Sequence, residues 1–394
     1  MHAETSIPVS ADAVAHSQRV SAFLQLQIEN AGGWIPFSQW MHHALYAPGL
    51  GYYAAGSTKL AERPDVLARA PAGDFVTAPQ LTSLFGYTLA NQVAEILRQT
   101  GTLNVLEFGA GSGALAQDLL TALDTLGIRV QYQILEVSAD LKARQKQLLA
   151  PWQGQVSWLD DRPAAFAGCV VANEVLDAMP AELFAWSHDH QVMQRGVRWD
   201  GRQFQWQDRP AAQVALALAE AAAARMPALP GYQSEINLQA EAWVRDLGTW
   251  LTHGAALLID YGFPRHEFYH PQRHRGTMMC HIQHRAHDDA FLVPGLQDIT
   301  THVDFTAIAD AALAGGMNVL GYTSQARFLI NAGLPGQLER LTGQDARQTA
   351  QTQAAVHKLV SEAEMGELFK VMMIGRDVDP PLLGFAQGDR RGSL

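Results

Sequence analysis

Three glycines at alternate positions follow a short apolar run, in Val105-Leu106-Glu107-Phe108-Gly109-Ala110-Gly111-Ser112-Gly113. Glycine at positions Gly109, Gly111 and Gly113 allows the backbone to turn tightly and to approach a ligand without an intervening side chain. The free amides at the start of the following helix favour a polar or anionic group, such as the carboxylate of an amino acid. Glu107 is placed to receive an ammonium group, directly or through water. The segment therefore predicts a site for S-adenosylmethionine, a nucleoside with an amino-acid part.

The glycine turn is also compatible with a dinucleotide, because Gly109-x-Gly111-x-x-Ala114 fits the looser form of the nicotinamide-binding motif. Two carboxylates bear on the choice of cofactor. Glu107 stands two positions before the first glycine, where a nicotinamide enzyme more often has an apolar residue. Glu136 ends the next predicted strand and suits a bidentate interaction with ribose hydroxyls, which both cofactors carry. The residues therefore favour S-adenosylmethionine and leave an NAD-dependent oxidoreductase as the alternative.

The third predicted strand ends in Trp158-Leu159-Asp160-Asp161. In an open α/β sheet, ligands bind outside the carboxyl ends of the strands. We therefore expect Leu159 to pack on the adenine ring and Asp160 to accept a hydrogen bond from the adenine amino group. A solvated aspartate that caps a helix is an equally good interpretation of Asp160.

The fourth predicted strand ends in a polar cluster, Asn173-Glu174-x-x-Asp177. Polar groups at the end of a buried strand are costly unless they have partners. We expect Asn173 to face the cofactor near its methionine part. Glu174 and Asp177 are the predicted catalytic residues, which would orient an acceptor nitrogen and take up its positive charge. Asp260 and Asp304 are second-rank candidates, and helix capping is the alternative for Asp177.

An alternation of short apolar runs and helical segments positions these residues. Fully buried parallel strands have such runs, so the alternation predicts a Rossmann-like α/β fold, in which a parallel sheet has helices on both faces. We expect the last strand to lie antiparallel beside residues 255–259. The predicted strands of this sheet are residues 104–108, 130–135, 156–158, 169–172, 255–259, 318–321 and 369–374, and its predicted early helices are residues 84–99, 114–126 and 139–149.

Four segments make up the predicted domain organisation. Residues 1–83 form an N-terminal lid of loops with a helix near residues 37–45, and residues 84–181 begin the core. Residues 182–253 form an inserted α+β subdomain with three antiparallel strands and two helices, the helices at residues 211–225 and 236–251. Within it, Asp200-Gly201 is a strong hairpin signal. Residues 254–394 complete the core and include a histidine-rich loop at residues 263–300.

Composition limits the classes of protein to consider. The chain has 394 residues and a formal net charge of −11, which argues against binding to a nucleic-acid backbone. No apolar run approaches the roughly 20 residues that a membrane span needs. Only two cysteines occur, so the expected location is the reducing cytoplasm. The histidines near the loop lack the usual spacing of a zinc site, so no metal is expected and their role is open; they are His281, His284, His287 and His302.

The chain resembles the MidA family of class I methyltransferases, which includes the mitochondrial assembly-factor arginine methyltransferase of respiratory complex I. The resemblance covers nearly the whole chain and is carried by motifs that occur in the same order. Besides the glycine turn, they are Leu45-Tyr46-Ala47-Pro48-Gly49-Leu50-Gly51-Tyr52-Tyr53, Gly73-Asp74-Phe75-Val76-Thr77-Ala78-Pro79, Phe85-Gly86, Glu136-Val137-Ser138, Asn173-Glu174-x-x-Asp177-Ala178-x-Pro180, Asp260-Tyr261-Gly262 and Asp298-Ile299-Thr300-Thr301-His302-Val303-Asp304-Phe305. Tyr87 stands where many relatives have an acidic residue, so no role is transferred to it.

The resemblance implies methyl transfer from S-adenosylmethionine to a protein nitrogen, with an arginine side chain as a candidate acceptor. It also implies that Asp74 and Thr77 lie over the cofactor, and it adds Val137 to the predicted cofactor site. A protein substrate is expected, neither a nucleic acid nor a membrane is expected as a partner, and a homo-oligomer is left open. Two alternatives remain: an NAD-dependent oxidoreductase, and a non-catalytic assembly factor that retains the cofactor pocket.

Overall fold

The computed structural model describes residues 10–55, 77–283, 285–341 and 346–394. These residues form two compact units. The larger unit consists of residues 77–179, 237–274, 301–341 and 346–394, and the smaller unit consists of residues 10–55, 180–236, 275–283 and 285–300. This division differs from the predicted segments, because residues 237–253 belong to the larger unit and residues 275–300 group with the hairpin strands that follow residue 180.

A mostly parallel sheet forms the centre of the larger unit. Its main strands, labelled in chain order, are β1 (Asn104–Phe108), β2 (Gln131–Leu135), β3 (Val156–Leu159), β4 (Phe166–Asn173), β5 (Leu251–Phe263), β6 (Asn318–Ser324) and β7 (Phe369–Arg376). They lie side by side in the order β3-β2-β1-β4-β5-β7-β6. Strands β1 to β5 run parallel, whereas β7 is antiparallel to both β5 and β6. The predicted Rossmann-like α/β class and the antiparallel last strand are therefore confirmed.

Successive residues of the central strands enter hydrophobic cores on opposite faces of the sheet. In β1, Val105 belongs to one core and Leu106 to the other, and Leu257 and Leu258 alternate in the same way in β5. The first core includes residues of the helices Ser83–Thr100 and Ala114–Thr125, and the second includes residues of Leu238–Trp250 and Phe305–Ala314. Because helices pack on both faces of the sheet, these strands are continuous apolar runs in the sequence.

Four helices of the larger unit were predicted, at residues 84–99, 114–126, 139–149 and 236–251, and they begin and end close to those limits. Ser83–Thr100, for example, ends at Gly101, whose φ of 64° is the left-handed conformation that commonly terminates a helix. None of the helices in the described ranges combines the length and the apolar character needed to cross a bilayer. The other helices of this unit are Ala78–Leu81, Ala139–Leu148, Arg265–Phe268, Gln325–Asn331, Leu334–Leu341, Ala346–Val360 and Met365–Leu368, with 3-10 helices at Ala150–Trp152, Pro271–Arg273, Leu383–Phe385 and Arg391–Ser393.

The smaller unit contains antiparallel strands and four helices among its described residues. Asp200-Gly201 forms the predicted hairpin turn between two of the strands. The predicted alanine-rich helix is interrupted at Ala215, whose φ is −151°. The strands are Ile35–Pro36, Glu182–Trp186, Val192–Trp199, Phe204–Pro210, Gln233–Ile236, Met279–Ile282, Arg285–His287 and Asp298–Thr300, and the helices are Ala11–Asn30, Phe37–Tyr46, Ala211–Val214 and Leu216–Arg225.

Candidate active site

The glycine turn joins β1 to the helix Ala114–Thr125. Gly109, Gly111 and Gly113 all have positive φ angles, of 62°, 55° and 84°. Residues with a side chain rarely adopt this conformation, whereas glycine enters it freely. A Cβ atom at Gly113 would also lie 3.3 Å from Cγ of Gln145, a close contact. The turn therefore requires glycine and leaves bare backbone at the carboxyl end of β1.

Glu107, the predicted ligand of an ammonium group, is buried in β1. Its carboxylate accepts a 2.7 Å hydrogen bond from the hydroxyl of Tyr132 on β2. Burial raises the pKa of Glu107 to about 8; the Tyr132 hydrogen bond opposes the increase and the charge of Glu136 adds to it. A bound cation would favour the ionised carboxylate, so this environment suits an ammonium group.

Glu136 follows β2 and is held against the glycine turn. Its carboxylate accepts hydrogen bonds from the backbone N–H of Ser138 and the side-chain amide of Gln145, each at 3.0 Å. Burial raises the pKa of Glu136, and these hydrogen bonds, together with one from the N–H of Gly111, oppose the increase. The carboxylate therefore faces the turn, and ribose hydroxyls would use the lone pairs that remain.

Gln145 connects the turn to two strands and was not identified from the sequence. The side chain is fully buried in the helix Ala139–Leu148. Its amide nitrogen donates to the carbonyl oxygen of Gly111 at 2.9 Å and to Glu136 at 3.0 Å, and its amide oxygen accepts a 2.9 Å bond from Nε1 of Trp158. Nothing in the spacing of this polar helix distinguishes Gln145 from its exposed neighbours, so only the fold reveals its role.

The remaining predicted cofactor residues on β2 and β3 lie at the carboxyl ends of those strands. Val137 is 75% exposed directly after Glu136, and the half-buried Leu159 is the last residue of β3. Asp160 is exposed and accepts a 2.8 Å hydrogen bond from Nζ of Lys142. This bond and the charge of Lys142 lower the pKa of Asp160. The exposed surfaces of these residues are open to a ligand at this edge of the sheet.

Thr77 begins the helix Ala78–Leu81 and is its N-cap. Its side chain and that of Gln80 form a reciprocal capping box, in which the backbone N–H of Thr77 donates to Gln80 at 3.2 Å. This arrangement assigns Thr77 a structural contribution alongside the predicted contact with the cofactor. Asp74, its predicted companion, lies outside the described residues.

The end of β4 has a strained backbone at a predicted catalytic residue. Glu174 has a φ of 53°, which is uncommon for a residue other than glycine, and its N–H donates to the carbonyl oxygen of Ile259 in β5 at 2.8 Å. Nδ2 of Asn173 donates to the Glu174 carboxylate at 3.1 Å. In the part of the chain that the structure describes, Oδ1 of Asn173 is buried and has no hydrogen-bond partner. Strain and an unpaired polar atom together are typical of a functional site.

Asp177 and Asp260 are buried together near the ends of β4 and β5. Asp260 accepts hydrogen bonds from the backbone N–H groups of Leu176 at 3.0 Å, Asp177 at 3.2 Å and Tyr261 at 2.9 Å. Burial raises the pKa of Asp260 well above its usual value, and the charges of Asp177 and Glu174 raise it further. Burial also raises the pKa of Asp177 to about 6, while a hydrogen bond from the Tyr261 hydroxyl opposes that increase. The fold therefore brings three acidic side chains to one edge of the sheet.

Asp304, a second-rank catalytic candidate, is the N-cap of the helix Phe305–Ala314. Its carboxylate accepts a 3.1 Å hydrogen bond from the N–H of Ala307 and lies 3.5 Å from Nε of Arg265. This capping contact gives the residue a structural role.

The structure describes three of the four histidines that the sequence singled out. His281 and His287 lie on strands of the smaller unit, His302 belongs to the larger unit, and His284 lies outside the described residues. Burial lowers the pKa of His302 to about 4, so it is neutral at physiological pH. Among the described residues, no group of three or more potential ligands is arranged to hold a metal ion.

Comparison with known proteins identifies related sequences and structures. The Methyltransf_28 family model, described as an S-adenosyl-L-methionine-dependent methyltransferase, matches residues 88–323. A crystal structure of a protein from Burkholderia thailandensis bound to S-adenosyl-homocysteine is 48% identical, covers 99% of this chain and 100% of that chain, and has a TM-score of 0.92. The mitochondrial protein arginine methyltransferase NDUFAF7 of Danio rerio is 26% identical over 87% of this chain and 84% of its own length. The human NDUFAF7 is 25% identical over 88% of this chain and 81% of its own length.

These matches confirm S-adenosylmethionine as the cofactor and do not favour the NAD-dependent alternative or a non-catalytic factor. They contradict the expected cytoplasmic location, since the named relatives are mitochondrial proteins. The prediction was wrong because a low cysteine count indicates a reducing environment and does not identify a compartment.

The residues around the glycine turn have the polar groups that S-adenosylmethionine requires. The turn from Gly109 to Gly113 leaves backbone without side chains at the start of the helix Ala114–Thr125, and a helix N-terminus favours an amino-acid carboxylate. Glu107 is a buried carboxylate suited to an ammonium group, and the unpaired Oδ1 of Asn173 can accept a further hydrogen bond. Polar groups for both ends of an amino acid are therefore present at one edge of the sheet.

Proposed function

The chain belongs to the Methyltransf_28 family of S-adenosyl-L-methionine-dependent methyltransferases, and we propose that its methyl acceptor is a guanidinium nitrogen of an arginine side chain in a protein. Two findings support this acceptor. The relatives NDUFAF7 of fish and human, which this chain matches over most of their length, are named protein arginine methyltransferases. The acidic edge formed by Glu174, Asp177 and Asp260 suits a cationic, planar donor group.

The cofactor supplies a methyl group already activated on a sulfonium, so the protein chiefly contributes binding, alignment and exclusion of water. We assign the cofactor site to the residues predicted from the sequence. In this proposal the glycine turn binds the carboxylate, Glu107 and Asn173 bind the amino-acid part, Glu136 binds ribose, and Leu159 and Asp160 contact adenine. The remaining proposed contacts are Val137, Thr77 and Asp74.

One observation carries the assignment of the acceptor site. Asp177 is 4% exposed, and its Oδ1 has no hydrogen-bond partner among the described residues. An acceptor atom that is buried without a partner is costly, and a guanidinium N–H would satisfy it. Glu174, on the strained backbone three residues earlier, supplies a second carboxylate.

These carboxylates have a defined chemical task. A guanidinium is protonated at all physiological pH values, so a base must accept one proton as the nitrogen gains a methyl group. The proton leaves the methylated nitrogen for Glu174 or Asp177, and the guanidinium keeps its single positive charge. We propose these two residues as the catalytic pair, which positions the guanidinium and takes up its proton.

Methyl transfer to a lysate tests this function. Purified protein is incubated with methyl-labelled S-adenosylmethionine and an extract of cells that lack the gene, and labelled proteins are hydrolysed and analysed by mass spectrometry. We expect methylarginine with the unmodified protein and a loss of at least about 100-fold with Glu174→Gln or Asp177→Asn, a typical contribution of a general base. Glu220→Gln, at an exposed glutamate of the helix Leu216–Arg225, is the matched control.

Binding of the cofactor is measured separately by thermal shift, because a ligand of the native state raises the melting temperature. We expect S-adenosylmethionine and S-adenosyl-homocysteine to raise it and NAD to leave it unchanged. Cofactor binding with label only on residues other than arginine would refute the proposed acceptor. Full activity of Glu174→Gln and Asp177→Asn would refute the catalytic assignment.

A further inference from the structure

We propose that Tyr261 is a positioning residue for methyl transfer, which holds Asp177 as an ionised and oriented carboxylate. This inference rests on the proposed function, because it gives a task to the second residue of the catalytic pair. Tyr261 is not among the residues proposed to contact the cofactor. Four observations on Tyr261 and Asp177 support the inference.

The two oxygens of the Asp177 carboxylate have different environments. The hydroxyl of Tyr261 donates a hydrogen bond to the carboxylate, and the N–H of Ala178 donates another. Oδ1 has no partner among the described residues. Because a carboxylate is planar, fixing one oxygen also fixes the direction in which the other presents its lone pairs. The Tyr261 bond therefore orients the oxygen that is left for an acceptor.

The ring of Tyr261 is held by aromatic neighbours on two sides. It makes edge contacts with His302, at 4.9 Å and 77°, and with Phe369, at 5.3 Å and 69°. His302 in turn stacks on Phe263, with ring centroids 5.4 Å apart and an interplanar angle of 9°. Arg273 covers Phe263, with 3.9 Å between its guanidinium carbon and the ring centroid. A ring packed in this way leaves its hydroxyl little freedom to leave Asp177.

Asp260, which is adjacent to Tyr261 near the end of β5, helps to fix the backbone around Asp177. Asp260 accepts the N–H groups of Leu176 and Asp177 and that of Tyr261. The N–H of Thr301 donates to the carbonyl oxygen of Asp177 at 3.1 Å. Asp260 and Tyr261 are adjacent in β5, so one dipeptide fixes the backbone and the side chain of Asp177.

Charges around Asp177 make the Tyr261 hydrogen bond important for ionisation. Glu174 and Asp260 face the same region and are both acidic, and burial already favours the neutral form of Asp177. His302 is neutral because burial and the nearby charges of Arg273 and Lys370 lower its pKa. Tyr261 therefore supplies the side-chain hydrogen bond that opposes protonation of Asp177.

Titration of Asp177 by nuclear magnetic resonance tests this inference without requiring a methyl acceptor. The protein is labelled with 13C at the aspartate carboxyl carbons, and the resonance that disappears in Asp177→Asn is assigned to Asp177. We expect Tyr261→Phe to raise the titration midpoint by about one pH unit, since a hydrogen bond to a charged group contributes roughly that much. Tyr322→Phe is the matched control, because the Tyr322 hydroxyl is buried and has no partner among the described residues.

A second variant protects the test against a folding defect in Tyr261→Phe. Incorporation of 3-fluorotyrosine at position 261 preserves the ring and makes its hydroxyl a stronger donor, so it is expected to lower the Asp177 midpoint. An unchanged midpoint in both variants, or equal shifts in Tyr261→Phe and Tyr322→Phe, would overturn the inference. The activity assay then tests whether Asp177 also acts in catalysis. In Tyr261→Phe, the acidic limb of the plot of kcat against pH should move to higher pH together with the Asp177 midpoint. Absence of methylarginine would remove the proposed acceptor and leave the titration result standing.

Discussion

Replacement of Gln145 by leucine tests whether the glycine turn is held by the buried amide. Leucine has a similar volume, so the perturbation removes hydrogen bonds and creates little empty space. Three partners then lose their bond: the carbonyl oxygen of Gly111 at 2.9 Å, the carboxylate of Glu136 at 3.0 Å and the indole N–H of Trp158 at 2.9 Å. All three bonds are shielded by the fully buried Gln145 side chain, so water cannot readily replace them.

The size of the effect follows from these contacts. A neutral hydrogen bond contributes about 1 kcal/mol to stability, and one to a charged group about 1.5–3 kcal/mol, while a buried group left without a partner adds a desolvation cost. We therefore expect Gln145→Leu to lower the free energy of unfolding by about 3–5 kcal/mol. Because Gln145 positions both the turn and Glu136, we also expect the dissociation constant for S-adenosylmethionine to rise at least about tenfold, which corresponds to 1.4 kcal/mol.

Urea unfolding and isothermal titration calorimetry measure the two quantities. Gln147→Leu is the matched control, because Gln147 is exposed on the same helix, Ala139–Leu148, and undergoes the same chemical change. If Gln145→Leu and Gln147→Leu have equal unfolding energies and equal affinities, the amide of Gln145 does not hold the turn, and the reasoning fails.

Three further substitutions test the site. Gly113→Ala should weaken cofactor binding and destabilise the protein more than Gly127→Ala, because both glycines have positive φ but only Gly113 has close neighbours at its Cβ position; calorimetry and urea unfolding measure the difference. Because the pKa of Glu107 is raised to about 8 in the folded protein, the contribution of this residue to the free energy of unfolding is fully present below about pH 4.5. The contribution is lost as the pH rises through about 8. Glu107→Gln should therefore flatten the decline in stability over that range, and parallel pH–stability curves for the two proteins would contradict this. Asp160→Asn should leave the melting temperature unchanged and weaken cofactor binding, and unchanged binding would remove Asp160 from the adenine site.

The central sheet could be predicted because its strands are buried on both faces. The run Val105-Leu106-Glu107-Phe108 and its glycines have local signals for a strand and a tight turn, and the structure places them as predicted. The helix Ala11–Asn30 was missed, although Val20, Leu24 and Ile28 form a buried stripe along it. That stripe is narrow, and the polar residues around it weaken its periodicity.

Contacts between distant segments account for what the sequence did not reveal at the site. The acidic residues Glu174 and Asp177 were recognisable as a polar cluster at the end of a buried strand. The bond from Tyr261 to Asp177, however, joins residues more than 80 positions apart, and the bonds of Gln145 depend on how a helix packs beside the turn. Residue type and spacing do not encode such pairings, because they arise from the register of β4 and β5 and from helix packing.

The position of β7 determines when the sheet can be completed during synthesis. β7 (Phe369–Arg376) is inserted between β5 and β6, both of which leave the ribosome earlier. Until it arrives, residues 254–261 of β5 have no partner on that side, because β7 supplies their antiparallel neighbours. The nascent chain therefore carries an exposed strand edge until β7 has been synthesised. A nonsense mutation upstream of Phe369 would leave that edge open permanently, and open edges promote aggregation.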